Sequence, residues 1–138
     1  DQDKYGKATG LEKGAYVLSD SEKTPQVILI ATGSEVSLIM AAQAELAKEG
    51  IQARVVSMPS WELFEKQDAA YKESVFPKTI KKRLAVEAGS PLGWHKYVTD
   101  EGDIIAMHTF GESAPAEELF KEFGFTVENV VKKAKALL

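Results

Sequence analysis

The sequence predicts an α/β fold built on a largely parallel sheet, and three observations carry that prediction. Short β-branched and aliphatic runs alternate along the chain with segments of helical periodicity, the pattern of strands joined by crossover helices. The run Val27-Ile28-Leu29-Ile30-Ala31 shows no polar alternation, as a strand covered on both faces requires. Val127, Val130, Val131, Ala134, Leu137 and Leu138 fall on one helical stripe, a face suited to lying against other structure. Right-handed crossovers then distribute the helices over both sides of the sheet.

Residues 1–13 are polar and punctuated by glycine, and read as a linker or frayed N-terminus ahead of one domain over 14–138. The chain opens Asp1-Gln2-Asp3 without Met, as expected of a piece excised from a longer chain. Gly14 to Ser19 reads as a first strand and Ser21 to Pro25 as a turn. Thr32-Gly33-Ser34-Glu35 closes the strand over 27–31: Gly33 permits a sharp turn and Ser34 can cap a helix running to about Glu49, where Gly50 stops it. Ala53 to Met58 is the next strand. Ser60 caps a short helix through Phe64, and Asp68 a second through Val75, ended before Pro77. Leu84 to Glu87 is a strand, followed by a loop containing Gly89, Pro91 and Gly93 and a helical turn from Trp94 to Val98. Ile104 to Phe110 is the last strand. Pro115 suits the first turn of a helix that Gly124 ends, and Thr126 caps the final one. There Lys132, Lys133 and Lys135 lie where the helix dipole favours cations.

With 138 residues, 44% of them hydrophobic and 28% charged, the chain can bury the core of one compact domain. Cysteine is absent, which excludes disulfides and thiolate metal sites and fits a reducing cytoplasm. The net charge of −4 argues against nucleic acid, and Lys78, Lys81, Lys82 and Arg83 form the only basic cluster. No apolar run approaches the ~18 residues of a membrane helix, and the N-terminus has no signal-peptide pattern.

Four groupings invite a chemical reading. Gly33-Ser34 stands at a strand-to-helix turn, where backbone N–H groups can hold an anion; Glu35 beside it would repel one, and every α/β crossover has such a turn. Gly111-Glu112-Ser113-Ala114-Pro115 is similar to a nucleophile elbow, but Pro115 replaces the last Gly and both histidines precede Ser113, so Ser113 reads as a helix cap. His95, His108, Glu87 and Glu112 lack any local metal-ligand spacing. Gly102-Asp103 with Asn129 has roughly the spacing of a diphosphate-and-Mg²⁺ motif, yet Ile104 stands where a second Gly belongs, and the match reads as accidental. Trp61 and Trp94 read equally well as core residues or as contacts with a neighbouring domain. These groupings assemble no catalytic constellation.

From Lys13 to Leu138 the sequence resembles the C-terminal domain of transketolases. The stretches that carry the resemblance are VILIATGSEVSL (27–38), ARVVSMPSWELFEKQDAAYKESVFP (53–77), LAVEAGSPLGWHKYV (84–98) and TFGESAPAEELFKEFGFTVENVVKKAKALL (109–138). The resemblance implies a three-layer α/β/α unit with a mixed five-stranded sheet, one edge strand antiparallel, and Gly14 to Ser19 is the candidate for that strand. It implies a parent enzyme that uses thiamine diphosphate and a divalent metal such as Mg to move two-carbon ketol units from ketose to aldose phosphates. The setting would be the pentose phosphate pathway in the cytoplasm. The cofactor of such enzymes lies between two upstream domains contributed by two subunits of a homodimer, so no catalytic, cofactor-binding or metal residue carries over to this chain. Packing against those domains and supporting the dimer is the role implied here, and one face should then carry an apolar patch with exposed aromatics. The contrasting expectation is a stand-alone regulatory module that binds an anion or nucleotide at Gly33 and Ser34.

Overall fold

A computed structural model describes residues 7–33, 35–87, 93–106 and 124–138. Five strands form one sheet: β1 (Tyr16–Ser19), β2 (Val27–Ala31), β3 (Ala53–Ser57), β4 (Arg83–Glu87) and β5 (Asp103–Ala106), in the spatial order β1-β3-β2-β4-β5. β2 pairs in parallel with β3 and with β4, β4 pairs in parallel with β5, and β1 runs antiparallel along β3. The expected edge strand is therefore antiparallel, with an irregular register between Val17 and Ser19.

The uninterrupted apolar run of β2 has a simple cause. All five of its residues are buried, because alternate side chains enter two different cores. Val27, Leu29 and Ala31 face helices α2 (Glu35–Lys48) and α6 (Val127–Leu137), whose Ile39, Leu46, Val130 and Ala134 complete the first core. Ile28 and Ile30 face α3 (Trp61–Glu65), α4 (Ala69–Val75) and α5 (His95–Val98), where Phe64, Val75, Trp94 and Tyr97 complete the second. Each Ile or Leu buried in this way contributes roughly 1.5–3 kcal/mol. The result is the three-layer α/β/α arrangement.

The caps expected from the sequence are in place where they are described. Ser60 accepts from Leu63 N, Asp68 from Tyr71 N and Thr126 from Asn129 N, each with extended backbone at the cap. Each bond satisfies a donor that the start of a helix leaves without a partner. Ser34, the helix expected from Pro115 and the end of the last expected strand (107–110) lie outside the described residues.

The stretch expected to be irregular differs: Lys7–Lys13 forms a helix, α1. It lacks a sequence-wide apolar stripe, and its support is tertiary. Gly10 lies so close to the Tyr16 ring that a Cβ there would meet Tyr16 Cγ at 2.3 Å. The basic cluster also divides. Arg83 opens β4 with only 7% of its surface exposed, although Lys81 and Lys82 beside it remain accessible.

Candidate functional site at the carboxyl ends of the strands

In this sheet β3 leaves β2 on one side and β4 pairs with it on the other, so the strand order reverses beside β2. Open α/β sheets bind ligands in the crevice outside the strand carboxyl ends at such a point. Here the ends of β2 and β4 are tied directly: Thr32 Oγ1 donates to Glu87 Oε1 at 2.9 Å. Met58, following β3, is fully buried and donates its N–H to Ala31 O at 2.9 Å.

A cleft of about 400 Å³ opens at this place, lined by Thr32, Met58, Trp61, Glu62, Glu87 and Trp94 among others. Trp94, at the N-cap of α5, is 1% exposed; Trp61, the first residue of α3, is half-buried. Their rings meet edge to face, 5.0 Å between centroids and 88° between planes. Gly93 makes this approach feasible, since a Cβ there would sit 2.3 Å from the Trp61 ring. Of the two roles open to the tryptophans, Trp94 takes the core one.

Gly33 lies in the turn between β2 and α2, with open space around the position of a missing Cβ. Glu35 opens the helix behind it and is 8% exposed, an acidic residue in the first turn where the helix dipole favours negative charge.

A second depression, about 730 Å³, lies over α3, α4 and the start of β4, with Lys72, Lys78, Lys96 and Arg83 among its lining. Three of these cations, Arg83, Lys72 and Lys96, are engaged within the chain. Arg83 donates to three carbonyls: Nε to Ile80 O at 2.8 Å, Nη1 to Tyr97 O at 2.9 Å and Nη2 to Pro77 O at 2.9 Å. Burial draws its pKa down, partly offset by Glu73. Lys96 Nζ lies 2.9 Å and Lys72 Nζ 3.5 Å from Glu65 Oε1, and Tyr97 Oη donates to Glu65 Oε2 at 2.6 Å. The Tyr97 hydroxyl first, then the two lysines, hold the Glu65 carboxyl at a pKa of about 2, against an opposing push from burial. Burial and the facing carboxylate raise the Tyr97 phenol in turn. No local sequence signal announces this network, whose members come from three helices.

The Gly102, Asp103 and Asn129 grouping is not brought together as a diphosphate site. A Cβ on Gly102 would meet Arg83 O and Val98 O, both at 2.2 Å, so this glycine serves a backbone crossing inside the protein. Asp103 Oδ1 accepts from Ile104 N, while Asn129 Nδ2 donates to Gly124 O at 3.0 Å. Among the described residues no three His, Asp or Glu side chains could hold a metal ion together. These residues do not fit thiamine diphosphate and its metal. His108, Glu112 and Ser113 lie outside the described residues; His95 is exposed on α5.

The family profile described as "Transketolase-like TK C-terminal domain" matches residues 14–126. The chain belongs to that family. Transketolase 1 of Escherichia coli (strain K12) is 61% identical over 128 residues, a stretch covering 93% of this chain and 19% of the relative. A solved transketolase from Leishmania mexicana superposes with a TM-score of 0.85 at 41% identity, over 94% of this chain and 18% of that one. The Pichia stipitis transketolase in complex with sedoheptulose-7-phosphate gives a TM-score of 0.83 at 40% identity, again over 94% and 18%. This transketolase C-terminal domain thus spans about a fifth of the length of the relatives it matches. Its described surface carries few large apolar side chains: Leu11 and Leu63 on the neighbouring helices α1 and α3, and Leu138. No aromatic among the described residues is exposed; Tyr5, Phe110, Phe120 and Phe123 lie outside them. No described helix is long and apolar enough to cross a membrane.

Proposed function

We propose that this chain is the C-terminal domain of an enzyme dependent on thiamine diphosphate and a divalent metal, which transfers two-carbon ketol units between ketose and aldose phosphates. Its own task is to pack against the upstream cofactor-binding domains of the same polypeptide and to support a homodimer in the cytoplasm, within the pentose phosphate pathway. The observation that carries the reading is the 61% identity to a transketolase sustained over 93% of this chain. The sugar phosphate named with the Pichia stipitis relative supports the substrate class. Leu11 and Leu63, exposed on the neighbouring helices α1 and α3, are the described apolar surface best suited to interdomain packing.

The chemistry of the parent would be supplied by thiamine diphosphate on other domains, and no step of it is assigned to residues of this chain. The test is a coupled assay with a ketose phosphate, an aldose phosphate, thiamine diphosphate and Mg²⁺. The full-length polypeptide should turn over and this domain alone should not. Turnover by the domain alone would overturn the reading, as would a native polypeptide no larger than this chain on a denaturing gel.

A further inference from the structure

Helices α2 and α6 lie against each other on one side of the sheet, and a groove of about 590 Å³ runs between them on their exposed side. Val130 and Ala134 of α6 are sealed in the first core, whereas Val127 and Val131, one step round the helix, are half-buried and give the groove an apolar wall. Ala41 lines it from α2 and is exposed; its single methyl group lets another helix approach closely.

The charges on the rim are ordered along α6. Glu128 stands at its start, and Lys132 and Lys135 follow toward its C-terminal end, while Glu45 and Glu49 line the α2 side. The rim is partly paired within the chain: Lys135 Nζ lies 2.7 Å from Glu49 Oε1, and Lys48 Nζ 2.9 Å from Glu45 Oε2. Glu128 and Lys132 differ. They stand four residues apart, a spacing that permits a pair, yet neither has an ion-pair or hydrogen-bond partner among the described residues.

This order of charge is self-complementary. Turned about a two-fold axis beside Val131, a second α6 runs antiparallel to the first. Its Glu128 then comes over the stretch between Lys132 and Lys135, its Lys132 comes toward Glu128, and symmetry makes each contact twice. Val127 and Val131 enter the same seam, and the two α2 helices flank it, which completes a four-helix layer. A parallel second helix would instead set like charges side by side.

We propose that the α2–α6 face is a contact surface for a second copy of this chain, packed antiparallel through α6. The inference rests on the homodimer proposed above and locates one of its contacts on this domain.

The experiment measures self-association of the chain by sedimentation equilibrium, from micromolar to millimolar concentration. It compares the wild type with Glu128→Lys, Lys132→Glu and the double variant. Both positions are exposed and unpaired, so the variants should fold, which their thermal midpoints check. The wild type should form a reversible dimer. Each single variant should weaken it by about tenfold, because a repulsive contact then occurs twice, and the double variant should return to within about threefold of the wild type. Mixed together, the two single variants should associate more tightly than either does with itself. A wild type monomeric throughout overturns the proposal and leaves the groove to a segment of another domain. Association unchanged in both single variants overturns it as well, as does a double variant no better than the singles. The earlier reading is tested separately on the full-length polypeptide: a dimer active in the coupled assay, beside a monomeric domain, fails this surface alone.

Discussion

Tyr97 Oη donates to Glu65 Oε2 at 2.6 Å, joining α5 to α3 across 32 residues of sequence. The bond stabilises the ionised carboxylate, and the sign of its pH dependence follows. The Glu65 pKa falls from 4.5 to about 2 in the folded protein, so its stabilising contribution is complete above about pH 4.5 and is lost as pH falls through about 2. Tyr97→Phe should therefore cost about 1 kcal/mol at neutral pH, a modest figure because the carboxylate remains partly in water. The cost should vanish at the acid end. Urea unfolding of both proteins at several pH values measures the difference, and a carboxyl NMR titration should show Glu65 moving back toward its ordinary range in the variant.

Arg83→Lys tests the guanidinium that spans Ile80, Pro77 and Tyr97 carbonyls. An ammonium cannot reproduce that planar fork, and at least one carbonyl loses its partner. The expected loss is about 2–4 kcal/mol, read from the urea midpoint at constant slope. Lys82→Arg, one residue earlier, should change the midpoint little.

Gly102→Ala places a methyl group 2.2 Å from two backbone oxygens, those of Arg83 and Val98. Neither can rotate away as a side chain could, so β5 must shift against β4 or the variant must lose stability. Thermal unfolding should show a loss of about 3 kcal/mol or more, in the range of severe packing defects.

Thr126→Ala removes the acceptor for Asn129 N at the start of α6 and should cost about 1 kcal/mol. Thr126→Ser keeps the hydroxyl and should retain most of that stability. Comparing the two in denaturant separates the cap from the rest of the side chain.

The local rules of the chain gave the layers because those rules are what builds them. The apolar run over 27–31 is buried from end to end, and Ser60, Asp68 and Thr126 sit at N-caps as hydroxyl and carboxylate chemistry requires. The helix over 7–13 was not legible, since Gly10 weakens it locally and its support comes from the Tyr16 ring on another element. The candidate site was legible only in outline. Trp61 and Trp94 stood out by residue type, but their edge-to-face contact depends on chain segments brought together by β3 and β4. The Thr32–Glu87 bond spans 55 residues. Its one sequence signal is positional: Thr32 follows one central strand and Glu87 ends another, and only the parallel pairing of Ala31 with Val86 makes them neighbours.

The place of β1 in the sheet has a kinetic meaning. The first strand in the sequence is outermost in space and hydrogen-bonds to β3 alone, while the other four strands form a continuous parallel array without it. Its further anchors include Tyr71 Oη to Ala15 O and the Gln43 side chain to Ser19, contacts that can break without disturbing the central pairs. The sheet can therefore open at this edge while its centre stays closed. Amide hydrogens of Tyr16–Ser19 should exchange through a low-energy opening, and those of Val27–Ala31 only when the whole domain unfolds. During refolding the N-terminal strand has to wait for β3, some forty residues further along the chain, before it has an edge to join.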